Sequence, residues 1–160
     1  SILGAAGVEL LNLPDNRLDS LDRLDLIKRI EECVARHQPT CVYVHHAGDV
    51  NVDHRRLHEA VVTACRPTPG HVVKRLLSFE VVSSTEWQPP GSAPAFQPNW
   101  FVDISDQWDR KRDALAAYAN EMREWLHPRS LQAVEHLARW RGAQVGVAAA
   151  EAFCLLRQLV

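Results

Sequence analysis

The sequence lacks the features that mark membrane-embedded or nucleic-acid-binding chains. No apolar run approaches the roughly 20 residues that a membrane-spanning helix needs. No basic stripe or block of like charge runs through the 160 residues, whose formal net charge is −2. Proteins that bind nucleic acid usually concentrate Lys and Arg on one surface. We therefore expect no membrane span and no nucleic-acid partner.

Paired cysteines are also missing. The four cysteines (Cys33, Cys41, Cys65 and Cys154) are widely separated, form no C-x-x-C pair and lie in apolar surroundings. This spacing is typical of buried thiols in a reducing compartment rather than of a disulfide framework or a zinc ribbon. It predicts a cytoplasmic protein.

The overall amino-acid composition predicts one globular domain covering residues 1–160. Hydrophobic residues make up 46% and charged residues 24% of the chain, the ordinary balance for a packed core. Hydrophobic periodicity predicts strands over residues 8–13, 41–44, 76–83 and 101–104. It predicts helices from Asp19 or Ser20 to about His37, from the N-cap Asp53, from Ser105 or Asp106 to about Trp125, and after Ser130. In the last of these helices, Leu131, Val134, Leu137 and Trp140 are expected to face inward, and residues 151–160 fit a strand or a helix.

The alternation of strands and helices predicts an α/β fold with a mainly parallel sheet covered by helices. A long loop over residues 85–100 interrupts it. Four prolines lie in this loop, interleaved with Trp87, Phe96 and Trp100. Long loops inside compact domains are usually functional or disordered, and the aromatic residues favour an ordered flap.

Polar residues are concentrated after the strand at 41–44. Four of the eight histidines (His45, His46, His54 and His58) fall within 14 positions, together with Asp49, Asn51, Asp53 and Glu59. Ligands in open α/β sheets bind at the carboxyl ends of strands, and such side chains supply metal or acid/base sites. The loop at residues 45–53 is therefore the candidate functional site.

The spacing of His54 and His58 leaves two interpretations open. Residues four apart on a helix share one face, so both could bind one metal, or both could be ordinary surface histidines. His54 lies in the first turn beside the loop, whereas His58 is deeper and fits a structural role. Asp53 fits an N-cap and could also orient a metal-binding histidine. These residues supply one ligand, whereas zinc enzymes use about three.

The stretch HHAGDVNVDHRRLHEA resembles the second motif of the PIG-L/LmbE-type zinc-dependent N-acetyl-sugar deacetylases. The similarity continues through LNLPD, RLLSFEVVSSTEW, QPNWFVDIS, DRKRDALAAY, RWRG and AEAF, in the order that the family shows. The resemblance implies a three-layer, Rossmann-like α/β sandwich. It also implies a hydrolase that uses zinc, or another divalent metal, to remove an N-acetyl group from an amino sugar such as N-acetylglucosamine, or from a glycoconjugate.

The resemblance also implies roles for individual residues. His54 would be a metal ligand, and Asp53 its catalytic partner in the Asp-His pair. Asn51 stands where many members carry a histidine that stabilises the tetrahedral intermediate. This departure makes His46 a second candidate for that role.

Substrate contacts are predicted at Asp49, Trp87, Trp100 and Arg141. For the two tryptophans and the arginine, core packing or a surface ion pair is an equal alternative. The predicted partner is a small N-acetylated sugar, with a homo-oligomer as one expected state.

The family's first motif, A-H-P-D-D, has no counterpart in residues 1–160. In the family it supplies two zinc ligands and the general base. The chain therefore resembles a domain that begins about one strand–helix–strand unit late, and the 160 residues alone are expected to be inactive. Two alternatives stay open: a non-catalytic binding or scaffold member of the same fold, and a zinc amidase that acts on a non-sugar amide.

Overall fold

The computed structural model describes residues 2–160, and the chain divides into two compact units. One unit contains the segment up to Asn12 and Phe101–Ala152. The other contains Leu13–Trp100 and Phe153–Val160, and it holds the predicted polar loop. No helix within residues 2–160 is long and apolar enough to cross a membrane.

The second unit opens with two helices and two strands. Helix α1 spans Arg23–His37, strand β1 Cys41–His45, helix α2 Val52–Ala64 and strand β2 Arg75–Phe79. The apolar repeat of α1 buries Leu26 and Ile27 against Ala60 and Ala64 of α2. Helix α1 begins later than predicted, because Ser20 belongs to a preceding 3-10 turn, where its hydroxyl donates to the Arg17 carbonyl.

Helix α2 covers the parallel strand pair. Val61 and Cys65 pack with Val44 of β1 and Leu76 of β2. The four cysteines form no disulfide within residues 2–160, but of these only Cys65 is fully buried. Burial raises the pKa of the Cys65 thiol, with nearby Arg157 acting in the opposite direction.

The sheet is mixed, which corrects the prediction of a mainly parallel one. Strand β3 spans Trp100–Asp103, strand β4 spans Ala150–Gln158, and the order is β1-β2-β4-β3. β1 and β2 are parallel, whereas β4 runs antiparallel to β2, with Phe153 opposite Phe79. The carboxyl-terminal segment, ambiguous by pattern, thus adds a strand in the reverse direction.

Two other predicted elements differ in the structure. Residues 8–13 form no strand, and Val8 and Leu10 are exposed, because no neighbouring strand within residues 2–160 pairs with them. Helix α3 covers only Trp108–Ala116, and turns follow it. Tyr118 and Trp125, expected on its apolar face, are exposed. A short helix gains its stability from a packed face, and α3 buries no side chain fully.

Helix α4 (Leu131–Ala143) begins as predicted, with the Ser130 hydroxyl accepting from the Ala133 amide at 3.1 Å. Val134 and Ala138 are buried, but Leu131 and Trp140 are exposed, against expectation. Gly142 of α4 lies against the backbone of the chain that follows the helix. A Cβ there would lie 2.6 Å from the Val147 carbonyl oxygen and 2.8 Å from the Ala149 nitrogen.

We predict that Gly142→Ala destabilises the protein. In a helix interior, alanine raises the free energy of unfolding by about 1 kcal/mol relative to glycine. A clash with backbone that cannot rotate away costs roughly 1–3 kcal/mol or more, so the net free energy of unfolding should fall. Denaturant unfolding measures the change, with Gly7→Ala as the control because a Cβ at Gly7 meets nothing within 4 Å. Equal or greater stability of Gly142→Ala would contradict the packing described.

Candidate active site

The candidate site lies where the parallel strands β1 and β2 end. Parallel strands place their carboxyl ends at the same edge of a sheet. The loop after β1 therefore meets the chain that follows β2, and the Val50 amide donates to the Ser84 carbonyl at 3.4 Å. Arg55 closes the first loop from α2, donating to the carbonyl oxygens of Asp49 at 2.8 Å and Val50 at 2.7 Å.

Asp49 is the centre of this loop, and its side chain has 0% of its surface exposed. It accepts from the Asn51 amide at 2.8 Å, from the Thr85 hydroxyl at 2.8 Å and from the Ser84 hydroxyl. His54 Nδ1 lies 3.1 Å from Asp49 Oδ1. Burial alone would raise the pKa of Asp49. The hydrogen bonds from His54, Ser84, Asn51 and Thr85 outweigh it and hold the pKa well below its usual range.

His54 lies in the first turn of α2 with its side chain 19% exposed. Its Nδ1 contacts Asp49 and lies 3.4 Å from the Ser84 hydroxyl oxygen. Its ring stacks on His45 with centroids 4.0 Å apart and 17° between the planes. Within residues 2–160, Nε2 makes no hydrogen bond, so this nitrogen is available to a ligand.

His45 stacks on the ring of His54, and His58 contacts the backbone of His45. His58 Nδ1 lies 2.7 Å from the His45 carbonyl oxygen, which agrees with the structural role expected for His58. Burial, followed by the neighbouring His54 and His58, lowers the pKa of His45 to about 4, although Asp49 acts to raise it. His45 is therefore neutral near pH 7 and adds no positive charge beside His54.

Asn51 and Asp53 have well-defined structural contacts. Asn51, not Asp53, caps α2: its side-chain oxygen accepts from the Asp53 amide at 2.8 Å. The Asp53 carboxylate accepts from the amides of Asn16 at 2.6 Å and Leu18 at 2.9 Å. Asp53 therefore ties the chain before α1 to the start of α2. Asn51 Nδ2 makes one long contact, 3.3 Å to Asn16 Oδ1.

His46 anchors the proline-rich loop at residues 85–99. Its buried ring donates from Nε2 to the Pro94 carbonyl at 3.0 Å and packs edge-on against Phe96. Gly48 makes this contact sterically feasible, because a Cβ there would lie 1.9 Å from the Pro94 carbonyl oxygen. The sequence predicts an ordered flap, and this contact holds the loop at Pro94.

The remaining predicted site residues have different environments. Trp87 is 52% exposed, in the same proline-rich loop. Trp100 begins β3, with the Arg75 guanidinium 4.7 Å from its ring centroid. Arg141 lies on α4, in the other compact unit, and donates to Gln144 at 3.1 Å.

Residues 2–160 bring together no group of three His, Cys, Asp or Glu side chains able to hold a metal ion. His54 by itself fits a metal ligand. Metal-binding histidines usually give their other ring N–H to a carboxylate, and His54 has that arrangement with Asp49. The structure thus contains one oriented imidazole rather than a closed metal site.

Ser84 and Thr85 belong to the candidate site but were not among the residues predicted from the sequence. Both hydroxyls contact Asp49, 35 and 36 positions away in the chain. A usable signal was present, because the run Ser83-Ser84-Thr85 follows a strand that a βαβ unit places parallel to β1. The carboxyl ends of such strands adjoin.

Comparison with known proteins gives one family match and several matches to solved structures. Residues 1–65 match the family model described as "PIG-L: GlcNAc-PI de-N-acetylase". No curated protein matches the chain. A conserved protein from Thermus thermophilus is 24% identical, with a TM-score of 0.76 over 99% of this chain and 70% of its own.

Two further structures carry named activities. The 4-carboxy-2-hydroxymuconate hydratase of Pseudomonas putida is 23% identical, with a TM-score of 0.75 over 99% of this chain and 68% of its own. The N,N'-diacetylchitobiose deacetylase of Pyrococcus horikoshii is 17% identical, with a TM-score of 0.72 over 98% of this chain and 59% of its own. At these identities the structures show the shared fold, and a fold alone does not set the reaction.

We predict that Gly48→Ala releases the proline-rich loop. The added Cβ meets the Pro94 carbonyl, so the loop must move and lose its bond to His46. Protease cleavage and amide hydrogen exchange within residues 85–99 should both accelerate, while β1, β2 and α2 keep their protection. Gly7→Ala is again the control. A loop as protected as in the parent protein would contradict the anchor at Gly48.

Proposed function

We propose, from the match of residues 1–65 to the PIG-L family model, that this protein is a metal-dependent hydrolase. It removes an N-acetyl group from an amino sugar or glycoconjugate. The three-layer Rossmann-like arrangement, a cytoplasmic location and a homo-oligomeric state are parts of the same proposal. The observation that carries it is His54, whose Nε2 is available while Nδ1 faces the buried carboxylate of Asp49.

His54 is proposed as one ligand of zinc or another divalent metal. A bound zinc ion would lower the pKa of a water molecule towards 7 and polarise the acetyl carbonyl. Such a site needs about two more protein ligands. Residues 2–160 place no such pair of ligands beside His54. The contribution of these residues is therefore to present one pre-oriented imidazole.

Asn51 is the better supported of the two candidates for stabilising the developing oxyanion. The Nε2–H of His46 is already donated to Pro94, and the ring is buried. Asn51 caps α2 through its oxygen, and its amide group makes one 3.3 Å contact to Asn16. An amide carries two N–H donors, so Asn51 keeps a donor for a substrate oxygen.

Trp87 is the best supported of the predicted sugar contacts. Half of it is exposed, two residues after Thr85 of the candidate site. An exposed indole face can pack against a sugar ring. The ring of Trp100 is instead in contact with Arg75. Asp49 was predicted to contact substrate, but it is fully buried and has no surface with which to touch one.

We predict that His54→Ala in the full-length protein lowers the zinc content from about one equivalent per chain to a small fraction of that. The matched control is His58→Ala, one helical turn later, whose imidazole contacts the His45 carbonyl. Metal analysis after dialysis measures both variants. A full equivalent of zinc in His54→Ala would remove His54 from the metal site.

We predict that Asn51→Asp slows acetate release by roughly 10²–10³-fold, the usual effect of losing one oxyanion donor. Aspartate caps helices as well as asparagine does, so the free energy of unfolding should change little. Kinetics on N-acetylated amino sugars, with zinc content measured in parallel, test this. Unchanged kcat with intact zinc would exclude Asn51 from this role.

A second candidate is a non-catalytic binding or scaffold member of the fold. The observation in its favour is that residues 2–160 bring no three metal ligands together. Zinc retention with acetate release from N-acetyl sugars would exclude it. A panel of non-sugar amides tests the amidase alternative. Because a hydratase shares this fold, acetate is the product to measure.

A further inference from the structure

We propose that Asp49, held by Ser84 and Thr85, is a positioning residue that sets the tautomer and direction of the His54 ring. This inference rests on the proposed role of His54 as a metal ligand and deepens it. The sequence pattern alone placed Asp49 among the substrate contacts and singled out neither hydroxyl.

The hydrogen-bond inventory around His54 Nδ1 requires a proton on that nitrogen. An ionised carboxylate only accepts hydrogen bonds, so the 3.1 Å contact between Asp49 Oδ1 and Nδ1 needs an Nδ1–H. The Ser84 hydroxyl gives its single proton to Asp49 and therefore also presents only lone pairs to Nδ1, 3.4 Å away. The neutral ring then carries its free lone pair on Nε2, the nitrogen that a metal would use.

The direction of the ring is restricted along two axes. Asp49 and Ser84 hold the Nδ1 edge within the ring plane. His45 stacks on the ring face at 4.0 Å and limits tilting out of that plane. A ring held by its edge and by its face presents Nε2 in one direction, which lowers the entropy lost when a metal binds.

The hydroxyls are themselves fixed by their own segment. The Thr85 hydroxyl accepts from the Val81 amide at 2.8 Å while donating to Asp49. The Glu86 carboxylate accepts from the amides of Ser83 at 2.5 Å and Ser84 at 3.2 Å. This closed turn after β2 keeps both hydroxyls on the carboxylate.

Asp49 does not need His54 to be satisfied. The Asn51 amide, Ser84 and Thr85 already supply three donors to it. A purely structural Asp49 would therefore serve the loop alone, whereas a positioning Asp49 also determines where the proton of His54 resides. The two roles predict different behaviour of the imidazole.

The test has two readouts on the full-length protein. In the metal-free form, long-range ¹H–¹⁵N spectra of the imidazoles should show that the neutral ring of His54 carries its proton on Nδ1 and not on Nε2. Asp49→Asn should shift His54 towards the other tautomer. It should also weaken Zn²⁺ binding by roughly 10–100-fold, the usual effect of losing such a partner, in competition titrations with a chelator.

Thr85→Val provides a milder variant, because it removes one donor to Asp49 without touching His54. We expect the same direction of change with a smaller loss of Zn²⁺ affinity. Thr63→Val is the matched control, since the Thr63 hydroxyl on α2 donates only to the Glu59 carbonyl. If Asp49→Asn fails to fold, the Ser84→Ala/Thr85→Val double variant replaces it.

The outcomes separate this inference from the proposed function. An Nε2–H tautomer in the parent protein, or Asp49 variants that fold with unchanged tautomer and Zn²⁺ affinity, would overturn the inference. A parent protein that binds no Zn²⁺ would overturn the proposed function. The tautomer of the metal-free protein would still decide whether Asp49 positions His54.

Discussion

The candidate site depends on a carboxylate buried without any exposed surface. Burying an ionised group costs several kcal/mol unless hydrogen bonds replace the lost water. Asp49 receives that replacement from the first turn of α2, from its own loop and from the segment after β2. Each of these segments is thereby held in register with the others. Removing the carboxylate would leave several donors unmatched at once.

The parallel pairing of β1 and β2 brings the members of this cluster together. Residues 35 positions apart reach one carboxylate because both strands end at the same edge of the sheet. The neighbouring contacts extend the same region: Asp53 fixes the turn before α1, and His46 fixes the proline-rich loop. The polar residues of one short segment thus organise three surrounding pieces of chain and leave His54 Nε2 available.

The family match and the site geometry concern the same part of the chain. The match over residues 1–65 ends at Cys65, directly after α2, and so includes the loop and the candidate ligand. The structures that share the fold include a deacetylase and a hydratase, so the reaction must be argued from the site. An oriented imidazole with an available nitrogen is compatible with metal chemistry.

The sequence by itself determined the elements with strong local signals. These are helix α1, strand β1, the Ser130 cap of α4, the long proline-rich loop and the motif around His54. Each depends on neighbours within a few positions, where periodicity and capping chemistry act. Only the tertiary structure decided the direction of β4, that residues 8–13 form no strand, and the partners of Asp49, Asp53 and His46. Those outcomes depend on contacts between residues far apart in the chain. The local sequence pattern does not predict which distant hydrogen-bond donor will reach a buried charge.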